Sequence, residues 1–336
     1  MASTPAATAR GLTVLSADEA LRRKSAHEQA VDAYAQPFLE RRHRGEKHPV
    51  NDFLFTYYTL TPAQLRRWHP GAGVVVTGRV AREQLRWKLY RELSSGERET
   101  LGLPEGTTTA TADLDAFLEK RGPALEFARM ILQRTLERPA RLGCFGLHEW
   151  AMAYKSEANG HRHEYLDLRL GAEGTDAVVE DSRISCTHFD AFRFFAPEAG
   201  PLNEIRPTRE TQRDLEQPGC LHANMDVYKW VYKLVPLLPS ELVFEAFELA
   251  FRIRAMDMQA APYDLAGWGY EPIRIETPAG RAEYVRRQQG FMREAQDLRE
   301  RVLERLAEVP PSVTANGSRE RAEDVKPKKP SMISQR

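Results

Sequence analysis

The sequence predicts a mainly α-helical protein with a few short strands, folded as a single large globular body of the α or α+β class. Three observations carry this. Long stretches near the start, middle and end repeat apolar residues at helical spacing. Only one clear β-prone run, Val74-Val75-Val76-Thr77, sits between glycines. At 336 residues, 42% hydrophobic and 29% charged, the chain has the material for a sizeable core and the charge of a soluble protein.

Residues 1–16, rich in Ser, Thr and Ala, read as a disordered leader without a signal-peptide apolar stretch. Residues 17–42 read as an amphipathic helix with Leu21, Val31, Tyr34 and Phe38 on its apolar stripe. It ends in a basic cluster, with Gly45 as C-cap. The aromatic run from Asp52 to Tyr58 is too dense for a surface loop. Thr61-Pro62 resembles an N-cap with proline in the first turn of a short helix through Trp68. Residues 95–113, rich in Gly, Thr, Ser and Pro, read as a loop or small insertion, with a sub-boundary near 95–122.

Leu125, Ala128, Ile131, Leu132 and Leu136 then mark a helix over 123–138. A short helix is expected around His148–Tyr154 after Gly143 and Gly146, and a strand over Tyr165–Leu170. Residues 221–235 and 239–258 read as consecutive helices broken at Pro236 and Pro239. Tyr284, Phe291 and Leu298 repeat every seven residues in a last helix over 280–308. The globular body thus spans 17–308, and the polar residues 309–336 read as a disordered tail.

Forty-eight basic residues balance forty-eight acidic ones, which speaks against a uniformly basic nucleic-acid-binding surface but leaves a local patch open. No run approaches membrane-span length. Three cysteines form no even disulfide framework, so a reducing cytoplasm fits best.

All three cysteines precede a histidine that has an acid close behind it: Cys144-x3-His148-Glu149, Cys186-Thr187-His188-Phe189-Asp190 and Cys220-Leu221-His222-x3-Asp226. Imidazoles and carboxylates bind metals and move protons near neutral pH. One reading takes His148, His188, His222 and Asp226 as ligands of zinc or iron, since His222 and Asp226 share a helix face. The plainer reading makes each cysteine a buried apolar filler and each histidine a core residue. Weighed together, the cysteines are passive markers of buried positions, and the histidines and acids carry the chemistry.

A metal-free reading gives acid–base work to Asp190 or Glu149, with His188 and His222. Asp190, in an aromatic run, would need a partner such as Arg193 to stay charged. Trp150, Phe189 and Trp230 could wall a pocket for a flat or cationic ring, or could simply be core.

The stretches Arg44-Gly45-Glu46-Lys47-His48-Pro49-Val50 with Asp52-Phe53-Leu54-Phe55, Gly143 to Trp150, Cys186 to Phe195, and Glu216 to His222 together resemble a family of actinobacterial-type proteins commonly labelled 3-methyladenine DNA glycosylase. The likeness covers roughly 17–308. It implies an enzyme that flips an alkylated base from DNA and hydrolyses its N-glycosidic bond, a hydrolase of DNA repair. Asp190 or Glu149 would serve catalysis there. Arg42, Arg44 and Lys47, with Arg41, Arg66 and Arg67, would contact phosphates, and Trp68-His69 would wedge or stack. The Pro70-Gly71-Ala72-Gly73 match to a helix–hairpin–helix motif reads as accidental, because a strand-forming run follows it. The competing reading is a zinc- or iron-dependent enzyme acting on a small molecule through the His/carboxylate cluster.

Overall fold

Ser16 opens the first helix. Its side-chain oxygen accepts from the Glu19 amide, and Asp18 and Glu19 complement the helix dipole. The resulting α1 (Ala17–His43) lays Val31, Ala35 and Phe38 on the core. The computed structural model describes residues 11–311. The expected leader and tail therefore lie outside the described residues, apart from 11–16 and 309–311. Within that margin Thr13–Val14 is a strand, β1, so order begins before residue 17.

Next come α2 (Phe53–Tyr57), α3 (Pro62–Leu65), β2 (Val74–Thr77), α4 (Gly78–Gln84), β3 (Tyr90–Arg91), α5 (Ser95–Thr100) and β4 (Thr109–Ala112). The sheet order is β1-β2-β4-β3, with β1 parallel to β2 and the remaining pairs antiparallel. A loop over 95–113 is thus corrected. Ser94 and Glu97 form a capping box that starts α5, and β4 is buried at every position because it pairs on both sides. Trp68, Val76, Val80 and Ala110 make a small core beneath this sheet. The strand after Pro70-Gly71-Ala72-Gly73 is present as β2.

The helix expected from 123 begins earlier, at Leu114, capped by Asp113. This helix, α6 (Leu114–Glu137), carries Pro123 inside it. Beyond it lie α7 (Leu147–Met152), α8 (Ser156–Asn159), α9 (Gly171–Glu180), α10 (Phe189–Phe192) and α11 (Gln212–Leu215). The strand expected at 165–170 is absent: turns fill the segment, and only Leu168 bridges to Tyr263. Its alternation reflects one side resting on the body, not a ladder.

The main core belongs to α12 (Leu221–Lys233), α13 (Ser240–Ala260) and α14 (Pro278–Ala307), closed by α6 and α1. Val227, Val231, Phe247, Ile253 and Leu298 are buried there. Each such side chain contributes about 1.5–3 kcal/mol of burial free energy. The architecture is mainly α with few strands, as the periodicity predicts. Among the described residues no helix is long and apolar enough to cross a membrane.

Candidate functional site

The site is assembled where α7 and the turn before α10 meet the long helices α12 and α13. On α12, His222, Asp226 and Lys229 follow one another by four and three residues and share a face. On α13, Arg254 and Asp257 share a face amid apolar neighbours. Gly146 starts α7 in the left-handed region (φ 76°), and a Cβ there would stand 3.3 Å from Ala260 Cβ. That close approach sets His148 and Glu149 against α13.

The three histidines converge. The His148 and His222 ring centroids lie 4.5 Å apart at 81°, and those of His188 and His222 lie 5.3 Å apart at 27°. Acids complete two buried groups on either side of His222. In the first, ligand-type atoms of His148, His222 and Asp257 all lie within 4.8 Å of one another. His148 Nε2 is 2.9 Å from Asp257 Oδ1, and Cys144 Sγ is 3.5 Å from His148 Nδ1. Arg254 donates to Glu149 at 2.7 Å and to Asp257 at 3.2 Å. In the second, His188 Nε2 is 3.3 Å from Asp226 Oδ2 and 3.8 Å from Glu216 Oε1. Tyr58 donates to Asp226 at 3.0 Å, and the Lys229 ammonium bonds the same carboxylate.

Burial lowers the pKa of His222 to about 3, with His148 adding to the effect. Burial also opposes charge on His148, but Asp257 and Cys144 outweigh it and hold that pKa well above the ordinary value. Burial would raise Asp257, yet His148 and Arg254 keep it well below the usual carboxylate range. Burial pushes Glu216 up, against the pull of His188. Glu149 and Asp257 face the single guanidinium of Arg254, and the proton held by His148 supplies the second positive charge. An uncompensated negative charge in a buried place is costly, so the group takes up a proton or a cation.

Several side chains present unsatisfied bonding capacity here. Glu149 Oε2 and His188 Nδ1 are buried without a partner. Among the described residues, no hydrogen bond is made by either ring nitrogen of His222, whose contacts are the two neighbouring imidazoles. Imidazole and carboxylate donors suit zinc or iron. Tetrahedral ligands at about 2.0 Å from zinc stand about 3.3 Å apart, so the His148–Asp257 pair at 2.9 Å would need to open by only a few tenths of an ångström.

All three cysteines are free and line one pocket of about 20 Å³ together with His148, His222 and Tyr284. Such a volume holds about a single water. The cysteines are therefore more than separate markers of burial: three chain segments bring them to one chamber, and Cys144 touches His148. Burial pushes the Cys186 and Cys220 thiols up, so both are neutral. On the other side of His222, Phe53, Tyr57, Glu149, Asp190 and Phe194 line a second pocket of about 10 Å³.

Some expected residues are placed otherwise. Asp226 does not join His148 and His222; it belongs with His188 and Glu216. Trp150 is core, fully buried, with its indole N–H given to the Ala260 carbonyl. Asp190 is paired with Arg193 at 3.2 Å and Lys229 at 3.4 Å. Phe189 lies under Arg209, and Trp230 lies under Lys229 and Lys233. Arg42 and Lys47 are exposed, whereas Arg41 is bound to Asp52, Arg44 to Glu46, and Arg66 to Glu28 and Asp32. Trp68 is fully buried, so it offers no wedge.

Sequence reasoning missed Asp257, Arg254 and Lys229 and did not assign Glu216 a ligand role. Charged residues at helical spacing inside apolar helices, Arg254-x2-Asp257 and Asp226-x2-Lys229, were the available signal. Comparison with family models, with curated proteins and with solved structures finds no match.

Proposed function

We propose that the chain is a cytoplasmic, metal-dependent enzyme acting on a small molecule, with zinc or iron held by His148, His222 and Asp257. The observation that carries this reading is His222. Among the described residues its half-buried imidazole makes no hydrogen bond; it sits between two other histidines and beside a carboxylate, and borders both small pockets. Cys144 Sγ, at Nδ1 of His148, fixes which nitrogen faces Asp257, as outer partners of metal-binding imidazoles do.

A bound zinc or iron would supply an acidified water. Glu149, with Oε1 fixed by Arg254 and Oε2 unpartnered, is the group placed to hold a proton. Elemental analysis of purified protein tests the reading: about one metal per chain is expected, lost in His222→Ala and Asp257→Asn but kept in Asp226→Asn. Metal-free protein whose stability ignores chelators would end it.

A second reading, DNA glycosylase action on alkylated bases such as 3-methyladenine, draws on the family resemblance and on the pocket where Asp190 and Glu149 meet Phe53, Tyr57 and Phe194. DNA would be the partner, with the exposed Arg42 and Lys47 as phosphate contacts. Release of free base from alkylated DNA, abolished in Asp190→Asn, supports it; no release and no salt-sensitive DNA binding would sink it.

A further inference from the structure

A cleft of about 510 Å³ opens beside the cysteine chamber, and Arg141, Gly143 and Ser185 line both. The cleft therefore adjoins the chamber that His222 lines. Its volume suits a small organic molecule, which the chamber alone does not.

The charge of the cleft is one-sided. Arg183 is bound to Glu204 on its rim. Arg281 has no acidic partner: Nε donates to the Ile275 carbonyl at 2.8 Å and Nη2 to Ser182 Oγ at 3.3 Å, with Phe145 5.4 Å beneath the guanidinium. Those bonds fix its fork while leaving its charge uncompensated. The Arg141 side chain makes no hydrogen bond or ion pair among the described residues. Its backbone is held at both ends by Gln217, which accepts from the Arg141 N–H at 2.8 Å and donates to its carbonyl at 3.2 Å. Gly219 permits this approach, since a Cβ there would strike the Arg141 carbonyl. Two guanidinium groups without counter-ions among the described residues, in a cleft that adjoins the histidine chamber, suit a bidentate oxyanion.

We propose that this cleft anchors a small oxyanion, a carboxylate or phosphate monoester, through Arg141 and Arg281, with the remainder of the molecule directed past Gly143 and Ser185 toward His222. The anchoring stands on the cleft alone; that the molecule is a substrate rests on the metal-centre reading.

The test uses full-length protein treated with a chelator, titrated calorimetrically with glycerol phosphate, with succinate and with glycerol. At least one anion is expected to bind with one-to-one stoichiometry, and glycerol is not. Binding of glycerol phosphate alone assigns the phosphate class, and of succinate alone the carboxylate class. Arg141→Gln and Arg281→Gln are each expected to weaken binding about tenfold or more, while Arg134→Gln, on an exposed ion pair that lines neither the cleft nor the chamber, leaves it unchanged. The exposed Arg141 carries the result if the Arg281 variant fails to fold. The bound anion is also expected to slow alkylation of Cys144 by iodoacetamide, because it plugs the route to the chamber. Failure of both anions to bind, equal binding of glycerol, or indifference to Arg141→Gln overturns the proposal. Loss of the metal reading by elemental analysis would leave these titrations unaltered, so the two failures are distinguishable.

Discussion

Replacing Arg254 by methionine is the sharpest test of the buried network. The guanidinium is 2% exposed, holds Glu149 at 2.7 Å and Asp257 at 3.2 Å, and stacks 4.1 Å over Phe53. Methionine keeps the stem and the contact with Phe53 but removes the positive charge that is bonded directly to Glu149. Breaking a buried pair by removing one partner costs about 3–5 kcal/mol, because the other charge stays buried and unmatched. Net stabilities run to about 5–15 kcal/mol, so about a fifth or more of the total is at stake. Urea unfolding in the presence of a chelator reads this directly: with m near 3 kcal/mol/M, the midpoint falls by about 1 M or more. The double variant Arg254→Met/Glu149→Gln should recover a kilocalorie or more, since Asp257 retains His148 at 2.9 Å. A single-variant loss below about 1 kcal/mol, or a double variant no firmer than the single, would refute the charge argument.

Tyr58→Phe removes the hydroxyl that donates to Asp226 at 3.0 Å, and is expected to cost about 1.5–3 kcal/mol by chemical denaturation; a neutral change would remove Tyr58 from the network. His69 is buried against Tyr90, and burial lowers its pKa from 6.5 to about 3. Below pH 6.5 the unfolded chain therefore binds a proton that the folded one refuses. Wild-type stability should lose up to about 1.4 kcal/mol per pH unit on this account as pH falls from 6.5 toward 3. His69→Gln lacks that loss, so parallel stability–pH curves for the two proteins, taken from about pH 7 to 5, would contradict it. Gly219→Ala drives a Cβ into the Arg141 carbonyl and to 3.0 Å from Gln217 Oε1. About 1–3 kcal/mol of destabilisation is expected, with faster labelling of Cys220 by a thiol reagent; unchanged Tm and labelling would show that the loop gives way.

The helices that build the body were legible because each buries one stripe: Val31, Ala35 and Phe38 on α1, and Tyr284, Leu298 and Val302 on α14, advertise their period. Of the small sheet only β2 was, because β1 and β3 are only two residues long and acquire their character from pairing with β2 and β4. Thr109–Ala112 alternates Thr and Ala, but its side chains are small and none is strongly apolar, so nothing local announces a strand buried at every position. The convergence of the histidines could be asked but not answered from spacing, since His148, His188 and His222 come from three segments joined only by packing. Asp257 was lost in an apolar run where the sequence gives its neighbours more weight, although Arg254 one turn earlier marks the same face.

The two His/carboxylate groups are alike in composition and differ in what balances them. Around Asp226, the Lys229 ammonium is already bonded to the carboxylate and also reaches Asp190 at 3.4 Å, so a cation is built into the chain. A metal there would have to displace a buried lysine or leave it facing a second positive charge, which at short range in a poorly screened interior is strongly unfavourable. Around Asp257, the guanidinium is shared with Glu149, and what remains is one negative charge, an imidazole already drawn toward its charged form, and a second imidazole with no hydrogen bond. A metal there would replace the proton on His148 and would not have to displace a buried ammonium. Of two similar clusters, it is the group with the less complete internal pairing that retains capacity for a ligand, and His222 is where that capacity lies.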